Sequence, residues 1–255
     1  MGIGQSFLLG IVEGATEFLP VSSTGHLILA EALLGIASSD FVKTFTIVIQ
    51  LGAILAVVVL YFRSFFNWPL LKRLVVAFIP TGIIGLLLYP IEKSFLLQSD
   101  TTVLIALFLG GAGLIAFEKY HGEDAGAKGL DALTYKDAAL IGLAQSVAII
   151  PGISRSGATV LGGLARGFSR AAIVEFSFLL AVPTMVAASG LSLYKSAFGF
   201  SAGEWLIISI GFIVAFLTAL AVIRWFLAYV RRHTFTGFGW YRIALSVLFA
   251  LWLFS

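Results

Sequence analysis

Apolar residues are gathered along this chain into long blocks separated by short polar breaks, roughly Phe41–Phe62, Leu71–Tyr89, Thr102–Phe117, Ala171–Tyr194, Trp205–Ile223 and Trp240–Leu253. A hydrocarbon layer about 30 Å thick is crossed by a helix of about 20 apolar residues, so the pattern predicts six transmembrane spans. Two other apolar stretches, residues 4–36 and 136–167, behave differently. Each is interrupted midway, at Leu19-Pro20-Val21-Ser22-Ser23-Thr24-Gly25 and at Pro151-Gly152-Ile153-Ser154-Arg155-Ser156-Gly157. Proline and glycine end a helix, and neither half of either stretch is long enough to span comfortably. Both are expected to be re-entrant helix-loop-helix hairpins. Irregular backbone at membrane depth is tolerated only where it is buried in protein or lines a wet cavity, so two such interruptions point to one shared site.

Composition narrows the class. Hydrophobic residues make up 60% and charged residues 11% of the chain, with a mean hydropathy of +1.04, whereas soluble domains carry roughly 25% charged residues. A water-soluble domain is excluded. Residues 1–6 lack the basic region and cleavage site of a secretory signal, and Glu13 and Glu17 interrupt the apolar stretch that follows, which is therefore expected to belong to the mature fold. There is no cysteine, which removes disulfides, thiolate metal sites and cysteine nucleophiles. The pI near 9.2 arises from Lys and Arg dispersed in short loops, the mark of a positive-inside bias rather than of nucleic-acid binding.

The two interrupted stretches are related. Gly10–Leu29 aligns without a gap with Gly142–Leu161 at an offset of 132, with Gly10, Ser22, Gly25 and Leu29 meeting Gly142, Ser154, Gly157 and Leu161, and Glu13 meeting Gln145. Phe45–Tyr61 continues the match with Phe178–Tyr194 at an offset of 133. The expected fold is an all-α polytopic membrane protein with an inverted-topology repeat: one membrane domain, residues 1–255, of two repeats at about 1–120 and 134–255. Each repeat has one re-entrant hairpin and three spans, so the halves take opposite orientations. Loops on one side then carry Arg63, Lys72, Arg73, Lys119, Lys128, Arg166, Arg170, Arg224, Arg231 and Arg232, against Lys43, Lys93 and Lys195 on the other. The first side is expected to be cytoplasmic, with both termini outside and the hairpin tips approaching the bilayer middle from opposite faces. A chain in which all ten helices span is the competing topology.

Candidate chemistry lies at the interruptions. Glu13 and Glu17 are one helical turn apart and share a helix face. An ionised carboxylate at the bilayer centre costs about 2.5 kcal/mol or more, so the pair either meets water at an interface, holds a divalent cation, or shares a proton with a base. Ser22-Ser23-Thr24-Gly25-His26 is an ordinary helix cap as structure alone. Beside paired acids it becomes the minimum kit for nucleophilic attack, a hydroxyl with an imidazole base. Ser154-Arg155-Ser156, just before a helix expected to start near Gly157, supplies a guanidinium for bidentate phosphate binding and N–H groups for an anion. Arg155 paired with Glu13 or Glu17 is the structural alternative. Glu31 and Glu175 read as interfacial, Trp205, Trp225 and Trp240 as an aromatic belt, and His121 and His233 as solvated. There is no Walker A sequence, and no His follows Ser154-Arg155 at helical distance, which argues against phosphohistidine chemistry.

On Glu13-Gly14-Ala15-Thr16-Glu17-Phe18-Leu19-Pro20-Val21-Ser22-Ser23-Thr24-Gly25-His26 and Pro151-Gly152-Ile153-Ser154-Arg155-Ser156-Gly157-Ala158-Thr159 the chain resembles the BacA-type undecaprenyl pyrophosphate phosphatases, the bacitracin resistance proteins. The resemblance implies hydrolysis of undecaprenyl pyrophosphate to undecaprenyl phosphate and inorganic phosphate, which recycles the lipid carrier of peptidoglycan synthesis and confers bacitracin resistance. It implies dependence on Mg²⁺ or Ca²⁺, a place in the bacterial inner (plasma) membrane, and a site open to the outer face. It also implies functional positions at Glu13, Glu17, Ser23, His26, Ser154, Arg155 and Thr159. Glu13 and Glu17 are the expected metal ligands, and Ser22, Ser154, Arg155, Ser156 and Thr159 the expected substrate contacts. Ser23 with His26 as base is expected to attack the terminal phosphorus while Arg155 and the cation stabilise charge; attack by a metal-activated water is the alternative. Because broken helices in inverted repeats are also the plan of secondary transporters, a lipid-phosphate flippase is the rival function. The partners are the lipid substrate and the bilayer, with no nucleic acid. Oligomeric state is open, a homodimer being one option.

Overall fold

A computed structural model of the protein describes residues 1–91, 100–121, 127–194 and 199–253. Among them the chain is helical throughout: α1 (Ile3–Thr16), α2 (Ser23–Leu33), α3 (Asp40–Leu60), α4 (Trp68–Ile91), α5 (Asp100–His121), α6 (Tyr135–Gln145), α7 (Arg155–Leu164), α8 (Arg170–Tyr194), α9 (Ala202–Val230) and α10 (Thr236–Leu253). Six of these, α3, α4, α5, α8, α9 and α10, are long and apolar enough to cross a membrane, as the hydropathy pattern predicts. The protein is a multi-pass membrane protein. Lys93 and Lys195, two of the cations used to assign sidedness, lie outside the described residues.

Helices start before their apolar blocks where polar residues cap them. Ser201 and Glu204 form a reciprocal capping box that begins α9 before Trp205, which satisfies N–H groups that the first turn leaves unpaired. Thr134 and Asp137 do the same for α6. At the far end of α9 the helix continues through Arg224 to Val230.

The two interrupted stretches give two pairs of short helices, α1 with α2 and α6 with α7, and each pair folds back on itself. Gln5 Nε2 near the start of α1 donates to the carbonyl of Leu34 at the end of α2. Asp137 in the first turn of α6 pairs with Arg166 just past α7 at 2.8 Å. Burial raises the carboxyl of Asp137, but hydrogen bonds from Thr134 and the Arg166 guanidinium outweigh it and hold the group below the usual carboxylate range.

α1 and α3 both lie against α9, and α6 lies against α4, while α3 also meets α8 and α5 meets α10. The close approaches use glycine. A Cβ at Gly14 would collide with the carbonyl oxygen of Ala215 on α9, and one at Gly142 with that of Ala77 on α4. Only a residue without a side chain lets two backbones come so near.

One buried ion pair ties the ends of three spans together. Glu118 near the end of α5 accepts from Arg170 at the start of α8 through both carboxylate oxygens, and also from the backbone N–H of Phe235 just before α10, at 2.9 Å. Removing one partner of a buried pair strands the other charge, at a cost of about 3 kcal/mol or more. Glu118→Ala is therefore expected to lower the thermal unfolding midpoint in detergent substantially, and an unchanged midpoint would show the pair to be dispensable.

Candidate active site

The two interruptions meet. Residues 17–21 leave α1 as turns, and Ser22 caps α2, its Oγ accepting from the N–H of Gly25 at 3.4 Å. In the other half Ser154 caps α7 in the same way, accepting from Gly157 at 3.0 Å, so α7 begins at Arg155, slightly before the start near Gly157 expected from sequence. Ser22 has φ +72°, left-handed backbone that a non-glycine residue seldom adopts and that costs of order 1–3 kcal/mol. Its carbonyl accepts from the His26 ring Nδ1 at 2.8 Å and lies 3.2 Å from the His26 backbone nitrogen, contacts that hold the strained peptide in place.

Side chains of the second interruption grip the first through its backbone. Ser154 Oγ donates to the carbonyl of Leu19 at 3.3 Å, and Ser156 Oγ to that of Phe18 at 2.8 Å. Arg155 lies between them. Its Nη2 donates to Glu17 Oε1 at 2.6 Å and its Nη1 to the carbonyl of Ser177 on α8 at 3.1 Å, with the guanidinium carbon 6.0 Å from the centre of the Phe18 ring. The other carboxylate oxygen of Glu17 accepts from Ser23 Oγ at 2.5 Å, the short separation of a charge-assisted hydroxyl–carboxylate bond. One buried carboxylate thus joins a hydroxyl on α2 to a guanidinium on α7.

Glu13, one turn earlier on α1, is fully buried, and among the described residues neither of its carboxylate oxygens has a hydrogen-bond partner. Two buried donors are likewise unpaired among the described residues, Nε of the Arg155 guanidinium itself and Oγ of Ser177, whose carbonyl that guanidinium bonds. Buried groups normally find partners, so the unpaired carboxylate matches a cation and the unpaired donors match an anion. Glu13 and Glu17 are the acids present there. Among the described residues no cluster of three or more His, Cys, Asp or Glu stands ready as a complete metal cage.

The expected hydroxyl–imidazole pair between Ser23 and His26 is not formed. His26 reaches back one turn with Nδ1 to the Ser22 carbonyl, and its Nε2 lies 2.7 Å from the hydroxyl of Tyr241 on α10, with the two rings stacked at 5.5 Å. Ser23, in the first turn of α2, faces α1 instead. Thr159 is fully buried, its hydroxyl shared between Gln145 Oε1 at 3.0 Å and the Arg155 carbonyl at 2.9 Å. Gln145 also donates to Thr81 and Thr184. At the position where the first half has Glu13, the second half therefore carries a neutral, satisfied network.

Sequence reasoning did not single out Ser177, Tyr241 or Arg242. A serine within an apolar helix gives no signal. Arg242 did give one: a charge inside a membrane block is by itself a reason to look for a partner.

Comparisons with known proteins give the chain's relatives. The family model described as bacitracin resistance protein BacA matches residues 6–248. A curated undecaprenyl-diphosphatase of Aquifex aeolicus is 51% identical, over 96% of each chain, and one of Thermus thermophilus is 50% identical over 96% of this chain and 95% of its own. The undecaprenyl-diphosphatase 1 of Clostridioides difficile is 42% identical over 99% of this chain and 96% of its own. The chain belongs to the bacitracin resistance protein BacA family.

Proposed function

We infer that this protein is an integral membrane phosphatase that hydrolyses undecaprenyl diphosphate to undecaprenyl phosphate and inorganic phosphate, returning the lipid carrier to peptidoglycan synthesis. The observation that carries the chemical reading is the Glu17 carboxylate, which holds the Ser23 hydroxyl on one oxygen and the Arg155 guanidinium on the other. Transport would need an anion site but no hydroxyl poised on a base.

In this reading Ser23 Oγ attacks the terminal phosphorus and gives its proton to Glu17, and the bridging P–O bond breaks to release undecaprenyl phosphate. Water then cleaves the phosphoserine and restores Ser23. Arg155, with Nε free of protein partners, and Ser177 Oγ receive the oxygens of the transferring group. Ser154 and Ser156 hold the loop that presents Arg155, Thr159 supports the base of α7, and His26 fixes the Ser22 peptide rather than serving as the base. Glu13 with Glu17 would hold Mg²⁺ or Ca²⁺, hard cations that take carboxylate oxygens. When bound, the cation neutralises charge on the diphosphate.

The same reading sets the protein in a bacterial inner membrane as two inverted repeats with re-entrant hairpins. Each hairpin closes at its own base, through Gln5–Leu34 and Asp137–Arg166. The first base lies by the start of α9, where Ser6 Oγ donates to Ile207. The second lies by the start of α8, where Lys128 pairs its backbone with Gly167 and Ser169. These are opposite ends of the bundle if both helices span, and the basic loops favour the second as cytoplasmic, with the site open to the outer face.

Phosphate release from undecaprenyl diphosphate by detergent-purified protein, with and without EDTA, tests the function. Metal-dependent release is expected, and Arg155→Ala should lower it about 10²-fold while the protein stays folded. Lipid binding without release under any divalent cation would overturn the hydrolase and favour the flippase.

A further inference from the structure

Arg242 on α10 is 2% exposed, and among the described residues no carboxylate pairs with it. Its guanidinium uses backbone carbonyls only. Nη1 donates to Pro20 at 3.0 Å, Nη2 to Gly152 at 3.0 Å and Ala106 at 3.1 Å, and Nε to Leu107 at 3.3 Å. Pro20 belongs to the first interruption, midway between Glu17 and Ser23. Gly152 belongs to the second, three residues before Arg155. Ala106 and Leu107 belong to α5.

We propose that Arg242 is a positioning residue for the hydrolysis, its single planar fork setting the distance between the loop that carries Glu17 and Ser23 and the loop that carries Arg155. This rests on the hydrolase reading above. An arginine needed only to join α5 to α10 would have its donors on those helices, yet here one terminal nitrogen goes wholly to the first interruption and the other is shared between α5 and the second. The fork is rigid and always charged, and a lysine ammonium cannot reproduce its geometry. A buried cation without an anion is expensive, and carbonyl dipoles from three segments offset that expense only while the segments stay together.

The surroundings are cut to fit it. A Cβ at Gly110 on α5 would collide with Arg242 Nη2, and one at Gly152 would come within 2.6 Å of the Val103 carbonyl. Gly152 has φ +95°, a conformation open to glycine at little cost, and its carbonyl accepts from the guanidinium. Gly110 therefore provides a way to displace the fork without altering it.

The test compares the parent protein with Arg242→Lys, Gly110→Ala and the double variant in one detergent, reading kcat and KM for undecaprenyl diphosphate, the thermal midpoint, and amide hydrogen exchange. Each single variant is expected to lower kcat on the order of 10²-fold, the scale of a misplacement near 1 Å, with KM changed less than threefold. The double variant should be no worse than the worse single, since both act through one contact. Exchange at residues 20–25 and 152–156 should quicken together while α5 and α10 stay protected. Parent-like kcat per folded molecule, a change in KM alone, or exchange that quickens along α5 and α10 instead would overturn the proposal. If Arg242→Lys does not fold, Gly110→Ala decides by the same criteria. A parent that releases no phosphate would overturn the hydrolase reading, and with it a role in hydrolysis for Arg242; the exchange data would then report only whether the fork couples the loops.

Discussion

Ser23→Ala is expected to lower turnover of undecaprenyl diphosphate on the order of 10⁴-fold or more, the scale seen when a nucleophile is removed from a group of residues that act as a unit, with lipid affinity changed only a few-fold. The reason is local. Ser23 Oγ has its hydrogen bond to Glu17 already formed, so it is the hydroxyl whose proton has somewhere to go. Neighbouring Ser22 caps the helix with its own oxygen. The truncation leaves the Glu17–Arg155 contact at 2.6 Å untouched, so anion binding should persist. Rapid quench of the parent should trap phosphate on the peptide that contains Ser23. A variant that keeps activity within tenfold of the parent, with no phosphopeptide in the parent, would mean that water attacks phosphorus directly.

Glu17→Gln should cost about 10³-fold in kcat, within the range for loss of a positioned general base. The amide can still accept from Ser23 but cannot take its proton, and its NH₂ would face the Arg155 guanidinium or force the side chain to turn over. Both side chains of the pair are nearly buried, 5% exposed for Glu17 and 12% for Arg155, so the guanidinium loses its bonded carboxylate partner in a dry site. That loss should also lower the thermal midpoint. At saturating divalent cation, where the ligand role proposed for Glu17 is met, the double variant Glu17→Gln with Ser23→Ala should be no slower than Ser23→Ala alone, because the base acts on that one hydroxyl. If the two losses multiply even there, Glu17 acts beyond that hydroxyl.

The apolar spans and the paired interruptions are legible because hydropathy and helix-breaking residues act over one element at a time. Spans Phe41–Phe62 and Ala171–Tyr194 correspond to α3 and α8 with ends shifted by a residue or two, while Trp205–Ile223 was read too short. There the capping box starts α9 before Trp205, and the helix runs on past Ile223 through Arg224 to Val230. The residues of the site were named from their types: acids one turn apart, hydroxyls at a break, a guanidinium in the facing break. Their partnerships were not. A local rule set His26 beside Ser23, only three positions away, yet His26 bonds to Tyr241, which is 215 residues distant in sequence.

Composition, periodicity and contiguous motifs are enough to give the solvent of this protein, the number and place of its apolar helices, the two interruptions and the family to which it belongs. Packing is what selects which hydroxyl meets which base: Glu17 rather than His26 holds Ser23, Gln145 closes a neutral network, and Arg242 and Glu118 bind distant segments together. The division has a physical cause. Burial and helix breaking depend on the character of neighbouring residues, whereas a hydrogen bond depends on direction and distance to within fractions of an ångström. Such geometry between α1, α2, α7 and α10 exists only once the helices have packed.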